Sequence, residues 1–226
     1  MTSQHTNANP AAHTHAYILL DRTGSMGSIW AEALTSVNAY AEALGKPEGG
    51  AKPGSEKVTL AVFDHHDGLK FDILRRGVTA ATWNKMTNDE ASPRGMTPLF
   101  DSIARIVALA EGDKPERAVI VIMTDGAENA STEVTKDGAK AALDRARARG
   151  WEVVFLGAEF AKFSDADSVG VIRSKAMAMS AGSMELSMRS LASKSRRYFE
   201  KAEAVDFNEE DRRQSGEADV KRRKGS

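Results

Sequence analysis

The sequence contains no cysteine, so neither a disulfide-stapled secreted domain nor a thiolate metal site is possible. It has no apolar stretch near the roughly 18 residues that a membrane-spanning helix needs. Residues 1–12 are polar and lack the apolar core of a secretory signal. The formal net charge of −1 provides no overall attraction to nucleic acid or to a membrane surface. We therefore expect a cytoplasmic protein that binds neither.

Several catalytic signatures are also missing. The sequence contains neither the Gly-x-x-x-x-Gly-Lys-Ser/Thr loop that cradles phosphates nor the Gly-x-Ser-x-Gly turn that presents a nucleophilic serine. Without cysteine, no thiol nucleophile is available. These absences favour a protein that is not an enzyme.

The 226 residues are enough for one large α/β domain. Residues 1–14 are polar, have no hydrophobic period and are predicted to form a disordered N-terminal tail. His15, which directly follows, is expected to lie with the histidines of this tail. Residues 15–207 contain every apolar pattern and are predicted to form the domain. Residues 208–226 are charged and poor in apolar residues, and we predict a second disordered tail.

Short continuous apolar runs alternate with helical stripes along residues 15–207. Such runs are typical of strands that are buried on both faces of a sheet. Strands are predicted around 17–20, 58–63, 118–123, 153–156 and 176–179, with 69–74 returning antiparallel to the second strand across a turn at His65-His66-Asp67. The pattern predicts a doubly wound, mostly parallel open sheet with one antiparallel edge strand and helices on both faces.

Polar side chains follow two of these strands and precede one helix. The segments are Asp21-Arg22-Thr23-Gly24-Ser25, Gly95-Met96-Thr97-Pro98 and Thr124-Asp125-Gly126. Ligands of open α/β sheets bind beyond the carboxyl ends of the strands, so these segments are expected to meet at one edge. The candidate metal ligands are Asp21, Thr23, Ser25, Thr97 and Asp125. All offer oxygen, which is the donor that Mg²⁺, Mn²⁺ and Ca²⁺ prefer.

Each segment also has a purely structural interpretation. An aspartate at a strand end often caps a turn, and Asp125-Gly126 alone is a turn signal. Thr97 before a proline is a common helix N-cap. Glu128, Asn129 and Ser131 are expected to lie in a solvated loop. The three segments together, each at a strand or helix junction, favour a metal site over these separate explanations.

The segment from Asp21 to Ser25 resembles the Asp-x-Ser-x-Ser signature of the metal-ion-dependent adhesion site in von Willebrand factor A domains. Thr97 and Asp125 match the threonine and the second aspartate of that site, and the order of the segments is the same. One position departs from the signature, because Thr23 stands where the family has its first serine. The resemblance covers roughly residues 16–199 and is closest in style to stand-alone bacterial or phage members of the family.

The resemblance implies a binding function rather than catalysis. It implies one divalent ion, Mg²⁺ or alternatively Mn²⁺ or Ca²⁺, held mainly by neutral hydroxyl groups and keeping an open coordination position. An aspartate or glutamate of a partner protein would fill that position. We expect the protein to be a monomer when it is alone.

An enzymatic alternative starts from the same strand end. Metal-dependent phosphatases and phosphotransferases of the haloacid dehalogenase type also place an aspartate after their first strand. They need a second aspartate two residues later as the acid/base, and Thr23 occupies that position. The alternative is therefore weaker, but the sequence leaves it open.

Overall fold

The computed structural model describes residues 13–46, 54–158, 166–167 and 169–224. Its centre is a six-stranded sheet with the order β3-β2-β1-β4-β5-β6. The strands are β1 Thr14–Asp21, β2 Lys57–His65, β3 Leu69–Thr79, β4 Arg117–Thr124, β5 Glu152–Ala158 and β6 Ala176–Met179. All neighbouring strands pair in parallel except β2 and β3, which are antiparallel. The predicted fold class is therefore confirmed.

The position of β1 and β4 at the centre of the sheet explains why their sequences are continuously apolar. Alternate residues of a strand point to opposite faces of the sheet. Ile18 and Leu20 pack into the core on one face, whereas Tyr17 and Leu19 pack into the core on the other. Because helices cover both faces, neither set of side chains meets water, and all eight residues of β1 are buried.

Four long helices form the two outer layers. Helices α1 Trp30–Gly45 and α4 Met184–Lys201 cover one face, and helices α2 Leu99–Asp113 and α3 Lys136–Ala148 cover the other. The Tyr40 hydroxyl of α1 donates to Ser195 Oγ of α4 over 2.9 Å, which joins the two helices in the core. Within the described residues, no helix is both long enough and apolar enough to cross a membrane.

The connection between β2 and β3 is a tight hairpin. Asp67 and Gly68 both have positive φ, at 52° and 97°, and reverse the chain directly after His65-His66. The expectation of a hairpin turn at this position is confirmed.

The amino-terminal boundary differs slightly from the expected one. Strand β1 begins at Thr14, one residue inside the predicted tail, and His15 is a buried strand residue rather than part of the polar tail. Residues 1–12 lie outside the described residues. The sequence also predicts a short helix near 160–167, most of which lies outside the described residues, while 166–167 are helical.

The prediction of disorder from residue 208 onward is wrong for the described part of that segment. Two further helices, α5 Glu209–Gln214 and α6 Glu217–Lys224, lie there. Asn208 and Asp211 form a reciprocal capping box at the start of α5. The charges pair with one another, since Arg212 contacts Glu217 over 3.0 Å with both side chains buried. Paired charges allow the two helices to pack with few apolar residues, and Val220 is one buried apolar side chain of α6.

Candidate metal centre

The five candidate ligands lie together at the carboxyl edge of the central strands. Strands β1 and β4 are direct neighbours, so their last residues meet, and the segment before α2 closes over them. Ser25 Oγ donates to Asp125 Oδ1 over 2.8 Å and lies 3.1 Å from Thr23 Oγ1. Thr97 Oγ1 lies 3.4 Å from Thr23 Oγ1. Three hydroxyl groups and one carboxylate therefore form a chain of contacts that runs from Thr97 through Thr23 and Ser25 to Asp125.

Asp21 is the deepest member of the cluster. It is fully buried, and both of its oxygens accept hydrogen bonds. The Thr23 backbone N–H donates to Oδ1 over 2.7 Å, and Thr124 Oγ1 donates to Oδ2 over 2.5 Å. Thr124 was not among the predicted site residues, although its position directly before Asp125 is a signal that was available. It links the ends of β1 and β4.

The two carboxylates of the cluster have no positive partner in the part of the chain that the structure describes. Neither Asp21 nor Asp125 forms an ion pair with a described residue. Burial raises the pKa of Asp21 to about 7, and the nearby charge of Asp125 adds to this effect. Burial likewise raises the pKa of Asp125. Hydrogen bonds to Asp21 and Asp125 offset part of the cost of burying these carboxylates, and a divalent ion would supply the positive charge that the described residues do not.

The donor chemistry also fits a hard cation. Over the described ranges, no group of three or more His, Asp or Glu side chains is arranged to hold a metal. An ion at this edge would therefore depend on the hydroxyls of Thr23, Ser25 and Thr97 as well as on carboxylate oxygen. Oxygen-only sets of this kind suit Mg²⁺, Mn²⁺ and Ca²⁺.

A backbone ladder holds the first segment against the segment before α2. The Gly24 N–H donates to the Gly95 carbonyl over 3.2 Å, and the Arg94 N–H donates to the Arg22 carbonyl over 2.8 Å. Gly95 has a φ of 69°, and a Cβ there would lie 2.3 Å from the His65 carbonyl oxygen. Only glycine is compatible with both constraints, which explains the glycine two residues before Thr97.

Arg22, inside the first segment, points away from the candidate ligands. Its guanidinium is buried and contacts Asp64 over 2.5 Å, and it also contacts Asp72. Arg94 pairs with the same Asp64 over 3.3 Å. This charge network anchors two of the three segments to the end of β2. Sequence reasoning did not assign it, because Asp64 and Arg22 are 42 residues apart.

The structural interpretation of Thr97 as an N-cap is wrong. Pro98 occupies the N-cap position of α2, and no cap bond is made by a side chain at that position. The first N–H groups of α2 are satisfied from elsewhere, since the Phe100 N–H donates to Glu128 Oε2 over 2.9 Å and to Ser131 Oγ over 3.0 Å. Glu128 and Ser131 therefore cap the helix, and the Thr97 hydroxyl faces the cluster.

No family model matches this sequence, and no curated protein sequence is similar to it. Solved structures do match. The vWF domain of the type V pilus tip protein Mfa5 from Porphyromonas gingivalis is similar with a TM-score of 0.60 at 11% identity, over 88% of this chain and 100% of that one. The open form of the pilus adhesin SpaC from Lactobacillus rhamnosus GG is similar with a TM-score of 0.65 at 12% identity, over 84% of this chain.

Only 31% of the SpaC chain is covered, so this chain corresponds to about a third of that adhesin. Manganese-loaded TRAP protein from Plasmodium vivax is similar with a TM-score of 0.57 at 14% identity, over 78% of this chain and 72% of that one. Identities this low establish the fold alone. The chain has the fold of a von Willebrand factor A domain.

Proposed function

We propose that the chain is a divalent-metal-dependent protein-binding module, not an enzyme, that captures an acidic residue of a partner protein. The observation that carries the proposal is the chain of contacts from the Thr97 hydroxyl through those of Thr23 and Ser25 to the carboxylate of Asp125. Structures with the same fold include a pilus adhesin and a manganese-loaded protein. The adhesin supports a protein-binding role for this chain, and the manganese-loaded protein supports a divalent ion at the cluster.

The chemistry of the cluster favours capture of an anion. Neutral hydroxyls neutralise little of a cation's charge, so a bound ion offers an electron-poor open position to an incoming carboxylate. Ser25 is exposed, whereas Thr23 and Thr97 are buried, so the cluster opens to solvent on the Ser25 side. A partner's carboxylate can approach from that side.

The phosphatase alternative has no observation in its favour. A nucleophilic aspartate must present a free carboxylate oxygen to its substrate. Asp21 is fully buried, and both of its oxygens are engaged by Thr23 and Thr124. The residue two positions later is Thr23, which cannot act as a carboxylic acid or base at neutral pH.

The first experiment tests the ion. Thermal melting is measured with Mg²⁺ or Mn²⁺ and again after a chelator is added. A ligand present at about 100 times its Kd stabilises a fold by about 2.7 kcal/mol, so the melting temperature should rise and then fall back. Thr97→Ala should lose most of this response. Thr35→Ala is the matched control, because Thr35 is an exposed threonine of α1 whose hydroxyl donates to the Ala31 carbonyl over 2.9 Å, away from the cluster.

The second experiment tests the acidic partner residue. Proteins retained from native lysate with Mg²⁺ are compared with those retained in chelator, and the affinity of an identified partner is then measured directly. A scan of Glu→Gln and Asp→Asn changes in the partner should identify one carboxylate on which binding depends. The proposal fails if binding survives the chelator and no single carboxylate of the partner matters.

A further inference from the structure

Asn129 makes a reciprocal pair of hydrogen bonds with the backbone of a candidate ligand. The Thr97 N–H donates to Asn129 Oδ1 over 2.8 Å. The Asn129 N–H donates to the Thr97 carbonyl over 3.1 Å. The Asn129 side chain thus binds the N–H of Thr97, and the Asn129 backbone binds its carbonyl, so the two bonds together resemble those of a neighbouring strand.

This pair joins two loops that must meet for the cluster to form. One loop follows β4 and carries Asp125, and the other precedes α2 and carries Thr97. On its opposite side, the Thr97 loop is held by a bridge between His65 and Met96, with N···O distances of 2.9 and 3.1 Å. Asn129 provides the attachment on the β4 side.

The Thr97 hydroxyl is held weakly by side chains and lies in a narrow space. Its contact with Thr23 Oγ1 is long, at 3.4 Å, and fixes it only weakly. A Cβ at Gly126 would lie 3.0 Å from Thr97 Oγ1, so the hydroxyl lies in a narrow space against the loop that follows β4, and a small shift of either loop would move it. The backbone attachment of Thr97 therefore controls where its hydroxyl points.

We propose that Asn129 is a positioning residue that holds the Thr97 hydroxyl in the cluster, against Thr23, for the divalent ion. This inference rests on the proposed metal-binding function. Asn129 is itself exposed, so removing its side chain opens no cavity in the core. Outer-sphere partners of metal ligands commonly change metal affinity by 10- to 100-fold when they are removed.

The test compares three variants with the wild type. Asn129→Ala removes the acceptor for the Thr97 N–H, and Asn129→Asp retains an acceptor of the same length. Ser131→Ala is the matched control, because Ser131 lies on the same loop and caps α2 but forms no bond to Thr97. Mn²⁺ affinity is measured by calorimetry. Hydrogen exchange of the Thr97 amide is measured by NMR in the metal-free protein.

Asn129→Ala should bind Mn²⁺ about 10-fold more weakly, and the Thr97 amide should exchange faster. Asn129→Asp should restore both the Mn²⁺ affinity and the slow exchange of the Thr97 amide. Because exchange is measured without metal, it reports the restored hydrogen-bond acceptor and not the attraction of the added negative charge for the ion. Ser131→Ala should lower the melting temperature without weakening Mn²⁺ binding.

Two results would overturn the inference on different grounds. If wild type and Asn129→Ala bind Mn²⁺ equally, or if the Thr97 amide exchanges at the same rate in both, Asn129 does not position the ligand. If the wild-type protein binds no Mn²⁺ or Mg²⁺, the proposed function fails, and the positioning role fails with it.

Discussion

Buried His15 makes the stability of the fold depend on pH. Its ring stacks on Tyr17 with centroids 4.0 Å apart, and Nε2 lies 2.8 Å from Thr59 Oγ1. Nδ1 has no hydrogen-bond partner among the described residues. Burial lowers the pKa of His15 to about 4. The carboxylate of Asp113 opposes this effect, and the positive charges of His13, Arg76 and Lys57 add to it.

The sign of the effect follows from where the proton binds. Between pH 6.5 and about 4, His15 is protonated in the unfolded chain but neutral in the folded one. The contribution of neutral His15 to the free energy of unfolding is fully present above pH 6.5 and is lost as the pH falls toward 4. One pKa unit corresponds to about 1.4 kcal/mol, so the loss at pH 4 should be about 3 kcal/mol.

His15→Phe isolates this contribution, because phenylalanine keeps a ring on Tyr17 but cannot take a proton. The comparison is needed because the raised pKa of Asp21, about 7, acts in the opposite direction. The free energy of urea unfolding is measured for both proteins at pH 7 and pH 4. The wild type should lose about 3 kcal/mol more than the variant. Equal pH dependence would refute the assignment of a buried, neutral His15.

Four further substitutions have defined outcomes. Asp125→Ala should abolish stabilisation by Mg²⁺, whereas Asp125→Asn should keep part of it because the amide oxygen can still ligate; equal melting responses in both would count against a direct role for this carboxylate. Gly126→Ala places a methyl group 3.0 Å from Thr97 Oγ1 and should weaken Mn²⁺ binding, measured by calorimetry, more than it lowers the melting temperature. Arg212→Ala removes the buried partner of Glu217 and should cost about 3 kcal/mol in urea unfolding, and a cost near zero would show that α5 and α6 contribute little.

The parts of the fold that depend on local pattern could be predicted from the sequence. The continuous apolar run of β4 indicates a strand that is buried on both faces of a sheet. The helical spacing of α1 indicates a helix with one buried stripe. The meeting of Asp21 and Asp125 was also predictable, since parallel neighbouring strands end at the same edge.

The parts that depend on distant polar partners could not be predicted. Asn129 acts on Thr97 from 32 residues away, and its own sequence neighbourhood looks like a solvated loop. The carboxy-terminal helices are rich in charge, which favours disorder when the charges are unpaired. The ion pair of Arg212 and Glu217 reverses that expectation, and nothing in the local composition reveals that the two side chains are buried.

The two edges of the sheet are protected against self-association in different ways. Strand β3 is irregular, with register shifts against β2, and carries charged side chains such as Arg75 and Arg76, which discourage pairing with another chain. Strand β6 is short and apolar and depends on the carboxy-terminal segment. The Phe207 N–H donates to the Ser174 carbonyl before the strand, and the Ser180 N–H after the strand donates to the Ser215 carbonyl. Detaching that segment would expose an apolar edge strand, so a shortened chain would be prone to aggregate through β6.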